Sequence, residues 1–300
     1  MSEPPTGSGR FLDLPESLNY YAPSKAVVWP VPYERTTSWQ RGTRKAPQAI
    51  LNASAHVELY DDELDWEPSS VGIHTLEVTD PKLLEETEGI DLIYERARKY
   101  LGDDKFVLTL GGEHTLSTPI VRAAREKYPD LSVLQIDAHA DLRDTYDGTP
   151  YSHACVMRRI VEICPAVQVG IRSISKEEFE ETGNLPTQIF FARDIAKSPD
   201  WIDRAVDALS DSVYITIDVD GLDPSIVPST GTPEPGGLDW QTLLDLLGAV
   251  GRSKKIVGAD IVELLPKDGF HAADFLCAKL AYKIIAYAFN SQRDRPSARP

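Results

Sequence analysis

The chain has 300 residues, of which 42% are hydrophobic and 26% are charged, and its apolar content is enough for a folded core. The formal net charge of −16 argues against a nucleic-acid partner and against an anionic membrane surface. The three cysteines are too scattered for a disulfide framework, which favours a cytoplasmic protein. No apolar stretch approaches the roughly 20 residues of a membrane span, which argues against a transmembrane protein.

The two ends of the chain predict flexible tails. They are about residues 1–20, which lack the basic and apolar regions of a signal peptide, and residues 291–300. Between them, neither a linker nor an internal repeat divides the sequence, so we expect a single domain over residues 1–300.

Short apolar runs rich in Val and Ile predict seven β-strands, and most are apolar continuously, which is typical of strands covered on both faces. The strands lie at residues 25–31, 105–110, 132–137, 166–171, 188–192, 213–219 and 255–263. Helical segments lie between and around them, at residues 46–56, 82–101, 117–128, 153–163, 200–209, 239–250 and 271–289. This alternation predicts an α/β fold, with a mainly parallel central sheet and helices on both of its faces.

Polar residues follow three of the predicted strands at the point where each one ends. His114 follows the strand at 105–110, and Asp and His residues follow the strands at 132–137 and 213–219 in pairs that are two positions apart. On extended backbone, residues i and i+2 point to the same side, so each pair can converge on one point. Ligands of parallel sheets also bind at the carboxyl ends of the strands. The candidate residues are His114, Asp137, His139, Asp141, Asp218 and Asp220.

These side chains predict a metal site with two ions. Taken singly, an Asp or His after a strand is commonly a turn or capping residue, but two spaced pairs and a further His at strand ends are hard to explain in that way. The four carboxylates carry a charge of −4, which two divalent ions would balance. Carboxylate and imidazole ligands suit Mn²⁺ better than a thiolate-bound structural zinc. Two such ions can lower the pKa of a shared water.

Three motifs that contain these residues resemble those of the ureohydrolases, the family of arginases and agmatinases. They are "GGEH" (111–114), "DAHADLRDTYDGTPYSHACVMRR" (137–159) and "TIDVDGLDPSIVPSTGTPEPGGL" (216–238). Segments 36–50 and 257–266 are also similar to the family, and the resemblance extends over about residues 25–290. It implies an arginase-like three-layer α/β/α fold, two Mn²⁺ ions per subunit and a homotrimer or homohexamer.

The resemblance also assigns the ligands. One ion would be held by His114, Asp137, Asp141 and Asp218, and the other by His139, Asp137, Asp218 and Asp220, so that Asp137 and Asp218 bridge the two.

Three further residues carry expectations. His153 matches the family histidine that shuttles protons beside the metal site, and an imidazole is suited to that task near neutral pH. Glu263 matches the glutamate that binds the substrate guanidinium, since a carboxylate accepts paired N–H bonds from a planar guanidinium. Thr232, in the Gly/Pro-rich segment 229–237, is expected to line the pocket and to steady Glu263.

The resemblance is greatest to agmatinase and implies hydrolysis of agmatine, a small cationic guanidino compound, to urea and putrescine in polyamine biosynthesis. Leu264 and Leu265 depart from the usual family pattern after the glutamate, which leaves guanidinobutyrate, guanidine, arginine and formimidoylglutamate open as substrates. Two other classes are also open. One is a non-catalytic relative that serves as an assembly subunit. The other is a single-zinc hydrolase similar to histone deacetylases, whose site needs fewer ligands, so that the additional His114, Asp141 and Asp220 count against it.

Overall fold

The computed structural model describes residues 9–85 and 88–290. Its eight strands form one sheet in which every neighbouring pair is parallel. The strands are β1 (Ala26–Val31), β2 (Ile73–Thr75), β3 (Phe106–Gly111), β4 (Leu131–Ile136), β5 (Ala166–Ile171), β6 (Thr187–Phe191), β7 (Ser212–Asp218) and β8 (Lys255–Val262). Their order in the sheet is β2-β1-β3-β8-β7-β4-β5-β6.

The described residues form ten α-helices, most of which connect successive strands. They are α1 (Ala46–Ser54), α2 (Pro81–Glu85), α3 (Gly89–Gly102), α4 (Ser117–Lys127), α5 (Val156–Val161), α6 (Lys176–Glu181), α7 (Ala192–Ile195), α8 (Trp201–Asp207), α9 (Trp240–Ser253) and α10 (Ala272–Phe289). No helix among the described residues is long and apolar enough to cross a membrane.

Two apolar cores cover the two faces of the sheet. Side chains alternate between them along each strand, so that in β1 Val28 packs into one core while Val27 and Trp29 pack into the other. Helices α1, α8, α9 and α10 pack against one another on the first face, and α3, α4 and α5 do so on the second. The predicted three-layer α/β/α fold is therefore confirmed, and the sheet is parallel throughout.

Several predicted elements differ from the structure. The helix predicted over 82–101 is two helices, α2 and α3, and Gly89 at the start of α3 lies so close to Leu84 that a Cβ on it would be 2.8 Å from the Leu84 carbonyl oxygen. Strand β2 was not predicted because three residues are too short to show a period, and helices α6 and α7 were also missed. The capping box of Ser175 and Glu178 at α6 is a signal that could have found that helix.

The prediction of a flexible tail over about residues 1–20 is wrong for residues 9–20. Two short 3₁₀ helices lie there, Phe11–Asp13 and Glu16–Leu18, and the side chains of Phe11 and Leu14 are buried in the core. Apolar residues in a polar stretch can anchor a terminus in this way. Residues 1–8 and 291–300, the rest of the predicted tails, lie outside the described residues.

Strand order decides where the predicted site residues meet. Strands β3, β8, β7 and β4 are neighbours in the middle of the sheet, and all of their carboxyl ends lie at the same edge because the sheet is parallel. The motifs that follow β3, β4, β7 and β8 are therefore brought together, although they are far apart in the sequence.

Candidate metal centre

The ring nitrogen Nδ1 of His114 faces three carboxylates at the carboxyl edge of the sheet. It lies 3.2 Å from Asp137 Oδ2, 3.3 Å from Asp141 Oδ2 and 3.5 Å from Asp218 Oδ2. All four side chains are almost completely buried. These four residues are the ones predicted for one ion, and the structure brings together one nitrogen and three oxygens of the types that bind a divalent cation.

A second group of ligand atoms lies beside the first and shares Asp137 with it. His139 Nδ1 is 3.0 Å from Asp220 Oδ2 and 3.6 Å from Asp137 Oδ1. Asp137 thus presents Oδ2 to the His114 group and Oδ1 to the His139 group, which is the arrangement expected of a bridging carboxylate. Asp218 has one oxygen in the first group, while its Oδ1 accepts a hydrogen bond from the Asp220 backbone N–H at 2.9 Å.

The tautomer of His114 suits metal binding. Its Nε2 lies 2.8 Å from the Thr216 hydroxyl, which donates to the buried Asp260 carboxylate at 2.6 Å. Since the single hydroxyl proton is committed to Asp260, Thr216 accepts from Nε2–H, and Nδ1 is the ring nitrogen left to bind a cation. That Nδ1 is buried and has no hydrogen-bond partner. An unsatisfied buried nitrogen aimed at three carboxylates fits a metal ligand, whose second nitrogen is usually held in this way.

The repulsion between the buried carboxylates of the cluster also favours the binding of cations. Burial and the charges of Asp220 and Asp137 raise the pKa of Asp218 well above its ordinary value. Burial and Asp137 raise the pKa of Asp141 to about 7. Burial opposes a charge on His114, but the surrounding carboxylates outweigh it and raise the pKa of the imidazole. Bound divalent ions would relieve the repulsion that causes these shifts.

Arg172, which no motif of the sequence singled out, supports the loops around the second group. Its guanidinium donates to the backbone carbonyl of Asp220 at 2.6 Å and to that of Glu234 at 2.9 Å. Its Nε donates to the carbonyl of Pro235 at 3.0 Å. The planar guanidinium of Arg172 therefore links the turn that carries Asp220 to the Gly/Pro-rich segment beside the cleft.

We expect Arg172→Met to lower the free energy of unfolding by about 2–3 kcal/mol, because hydrogen bonds from a charged group are lost. It should also weaken Mn²⁺ binding about 10-fold or more, as is usual when a group that orients a ligand is removed. Urea denaturation and metal titration measure the two effects. Arg193→Met, at an exposed site on α7, is the control, and equal behaviour of both variants would contradict the role of Arg172.

Glu263 lies next to the cluster with an unusual backbone conformation. It follows β8 directly and has a φ of 63°, in the left-handed region that non-glycine residues seldom adopt. Its Oε1 accepts a hydrogen bond from the His114 backbone N–H at 2.8 Å. Asp141 also has a positive φ, of 52°. Strained backbone at two predicted site residues is typical of functional sites.

A cleft of about 280 Å³ opens over the cluster, and Glu263 and His153 both line it. His153 Nε2 is 2.7 Å from the Ser38 hydroxyl, and its ring lies edge-on to Tyr146 with 5.8 Å between the ring centres. Burial lowers the pKa of this histidine, which favours the neutral ring near pH 7. Seven of the eight predicted metal and catalytic side chains therefore line one cleft, and the eighth, Asp137, is buried beside it with Oδ2 3.2 Å from His114 Nδ1.

Two expectations about the cleft need correction. Thr232 lines the cleft, but its hydroxyl lies 3.5 Å from Asp220 Oδ2, and no hydrogen bond joins it to Glu263 in the part of the chain that the structure describes. Leu264 and Leu265, whose departure from the family pattern left the substrate open, are 0% and 7% exposed and belong to the interior. Their departure from the family pattern therefore affects packing first, since Leu265 lies against Gly42.

Sequence reasoning missed the residues that orient the ligands. Asp260 stands inside the apolar run of β8, and a charged residue in such a run is a signal that could have been used. Thr216 is two positions before Asp218 and so points to the same side of β7. Gln135 shows both signals, since it is a polar residue in the apolar run of β4 and stands two positions before Asp137, to whose Oδ2 its amide donates at 2.7 Å.

Comparisons with known proteins agree with this geometry. The arginase family model matches residues 24–287. The N(1)-aminopropylagmatine ureohydrolase of Synechocystis sp. is 38% identical over 298 residues, which cover 97% of each chain. The agmatinase of Bacillus cereus is 36% identical over 247 residues, covering 81% of this chain and 84% of that protein. The crystal structure of the agmatine ureohydrolase of Thermoplasma volcanium matches with a TM-score of 0.83 and 33% identity, covering 91% of this chain and 93% of that one. The chain therefore belongs to the arginase family and is a ureohydrolase.

Proposed function

We propose that the protein hydrolyses the guanidino group of agmatine or of its N(1)-aminopropyl derivative, and that it uses two Mn²⁺ ions. The observation that carries the proposal is the pair of His and Asp groups around Asp137, with Glu263 and His153 in the cleft above them. In the reaction, a water oxygen forms a bond to the guanidinium carbon, the bond from that carbon to the alkylamine nitrogen breaks, and the amine leaves with a proton. The products are urea and the amine.

The metal ions would be held by the six residues that the structure brings together, His114, Asp137, His139, Asp141, Asp218 and Asp220. When bound, two divalent ions lower the pKa of a water and stabilise negative charge that develops during the attack. Mn²⁺ is the first candidate because the ligands are carboxylate oxygens and imidazole nitrogens.

Glu263 would bind the substrate guanidinium. Its Oε1 already accepts the hydrogen bond from the His114 backbone, and among the described residues no hydrogen bond reaches its Oε2. That oxygen is free to accept from a planar, charged N–H group. The backbone N–H of Glu263 also donates to the carbonyl of Gly112 at 2.8 Å. Both the backbone and the carboxylate of Glu263 are therefore held in place before substrate binds.

His153 would supply the proton that the departing amine needs. Its ring lines the cleft, and the Ser38 hydroxyl on Nε2 also lies there, so a proton can pass between the ring and solvent. A neutral histidine near pH 7 can both accept and return a proton, which is the requirement for this role.

The charges of the cleft favour a substrate without a carboxylate. Bound ions would neutralise the aspartates of the cluster. Burial and the charge of Glu113 raise the pKa of Glu263, and a cationic guanidinium beside it would favour its charged form. The arginine that lines the cleft, Arg143, lies 3.8 Å from Glu178 Oε2, so its charge is already partly offset. Arginine and guanidinobutyrate would bring a carboxylate to an acidic cleft without a dedicated partner, whereas agmatine and N(1)-aminopropylagmatine bring further cations.

A panel of substrates tests the proposal. Protein loaded with Mn²⁺ is assayed for urea release from agmatine, N(1)-aminopropylagmatine, guanidinobutyrate, guanidine and arginine, and for formamide release from formimidoylglutamate. We expect kcat/KM for the better of the first two to exceed that for arginine by about 100-fold, since an unpaired buried charge costs several kcal/mol. Metal-free protein is the control. If no guanidino compound yields urea while the protein retains Mn²⁺, the proposed reaction is wrong.

A further inference from the structure

Glu113, the acidic residue of the "GGEH" motif, is completely buried but points away from the metal cluster. Four donors surround its carboxylate. The backbone N–H groups of Arg35 and Thr36 donate to Oε2 at 2.5 and 2.6 Å, and the hydroxyls of Thr36 and Thr115 donate to Oε1 at 2.6 and 2.7 Å. Both oxygens act only as acceptors, so the network is complete when Glu113 is a carboxylate.

The Thr36 hydroxyl joins this carboxylate to His153. It has one proton, and the 2.6 Å contact with Glu113 is short and charge-assisted, so the proton is donated there. Its two lone pairs then face two atoms of His153, which are the backbone nitrogen at 3.1 Å and the ring nitrogen Nδ1 at 3.2 Å. The Thr36 hydroxyl oxygen can only accept in these two contacts, so a ring that is protonated at Nδ1 satisfies it, and the Ser152 hydroxyl, 3.3 Å from the same Nδ1, can accept from that proton as well.

We propose that Glu113 and Thr36 are positioning residues which hold the His153 ring as its Nδ1–H tautomer, so that Nε2 keeps a lone pair on the side of Ser38. This inference rests on the proposed function, because the proposed function is what assigns proton transfer to His153.

The chain segment that carries Thr36 explains why the link matters for the cleft. Residues 37–40 follow it directly and line the cleft, and the carboxylate of Glu113 holds the start of that segment by two backbone bonds and one side-chain bond. The Ser38 hydroxyl, 2.7 Å from Nε2, can donate to a ring nitrogen that has a lone pair. If Nε2 carried the ring proton instead, lone pairs of Nδ1 and of the Thr36 hydroxyl would face each other and that contact would be lost, which leaves the longer contact with the Ser152 hydroxyl, at 3.3 Å, as the hydrogen bond to Nδ1.

The ring tautomer can be measured without any turnover. The full-length protein is labelled with ¹⁵N-histidine, and long-range ¹H–¹⁵N correlation spectra are recorded on metal-free protein near neutral pH, with the His153 signals assigned from a His153→Asn variant. We expect the wild-type ring to be protonated at Nδ1. A wild-type ring protonated at Nε2 overturns the proposal, whatever the variants do.

Substitutions at Thr36 test the link itself. Thr36→Val keeps the shape but removes the hydroxyl, and we expect a mixture of tautomers together with a kcat about 10-fold lower at nearly unchanged KM in the Mn²⁺-loaded protein, as for other groups that orient a functional ring. Thr36→Ser restores a hydroxyl and should restore both readouts. Thr115→Val, which removes the other hydroxyl on the same Glu113 oxygen, is the matched control and should leave the ring tautomer unchanged.

The outcomes separate this inference from the proposed function. An Nδ1–H ring that becomes mixed in Thr36→Val supports the positioning role even if no guanidino compound is hydrolysed, in which case the proposed function fails alone. Normal urea release with an unchanged tautomer and an unchanged kcat in Thr36→Val overturns the positioning role and leaves the proposed function standing.

Discussion

Asp137→Asn should remove Mn²⁺ binding and activity together, with a loss in kcat/KM of about 1,000-fold or more, because in the proposed reaction the bound ions would supply the nucleophile. Asp137 belongs to both groups of ligand atoms, with Oδ2 facing His114 and Oδ1 facing His139. An amide offers one weaker acceptor oxygen and an NH₂ group that repels a cation, so neither group would remain complete. The change keeps the size of the side chain, and the fold should therefore survive.

Two measurements check this result. Metal content per subunit after dialysis against Mn²⁺ should fall well below that of the wild type. The wild-type melting temperature should rise when Mn²⁺ is added, because a ligand that binds only the folded state stabilises it, and this rise should be lost in the variant. Asp223→Asn is the control, since Asp223 lies in the same loop as Asp220 but accepts from the backbone N–H of Ser225 at 2.8 Å, as in a turn. Full Mn²⁺ content in Asp137→Asn would contradict the bridging role.

Much of the fold could be predicted from the sequence, for a physical reason. Strands covered on both faces read as continuous apolar runs, and all seven predicted strands are present in the sheet with ends shifted by one residue at most. The exceptions are elements too short to show a period, such as β2, or helices signalled only by a cap, such as α6. The split between α2 and α3 depends on close packing of Gly89 on Leu84, which no periodicity reports.

The ligand residues could be predicted because they follow the strands at fixed spacing. His114, Asp137 and Asp218 each stand within four residues of a predicted strand end, and parallel strands bring such positions to one edge. The groups that orient them depend on pairing across the sheet. Thr216 contacts His114, which is 102 residues away in the sequence, and Glu113 contacts Thr36, which is 77 residues away. Contacts at these separations follow from strand order and register, which the sequence alone leaves undetermined.

Glu263→Gln should keep Mn²⁺ at the wild-type level and lower kcat/KM about 1,000-fold. The residue is not a ligand in either group, and its Oε1 can still accept from the His114 backbone after the change. The amide NH₂ would then take the place of Oε2, where it faces the N–H donors of a guanidinium and carries no charge. Loss of a charge-assisted pair with an unpaired donor left behind costs about 4 kcal/mol, which corresponds to the expected factor.

The combination of full metal content and lost turnover is what separates a substrate-binding carboxylate from a metal ligand. Glu178→Gln provides the comparison, since Glu178 lines the same cleft but both of its oxygens accept backbone N–H bonds, from Leu142 at 2.9 Å and from Ser175 at 2.8 Å. We expect that variant to lose some stability and less than about 10-fold in kcat/KM, because its contacts hold α6 rather than a guanidinium. If the two variants lost activity equally, general cleft charge would explain substrate binding, and the φ of 63° at Glu263 would need another cause. If Glu263→Gln lost its Mn²⁺ as well, the residue would belong to the metal site.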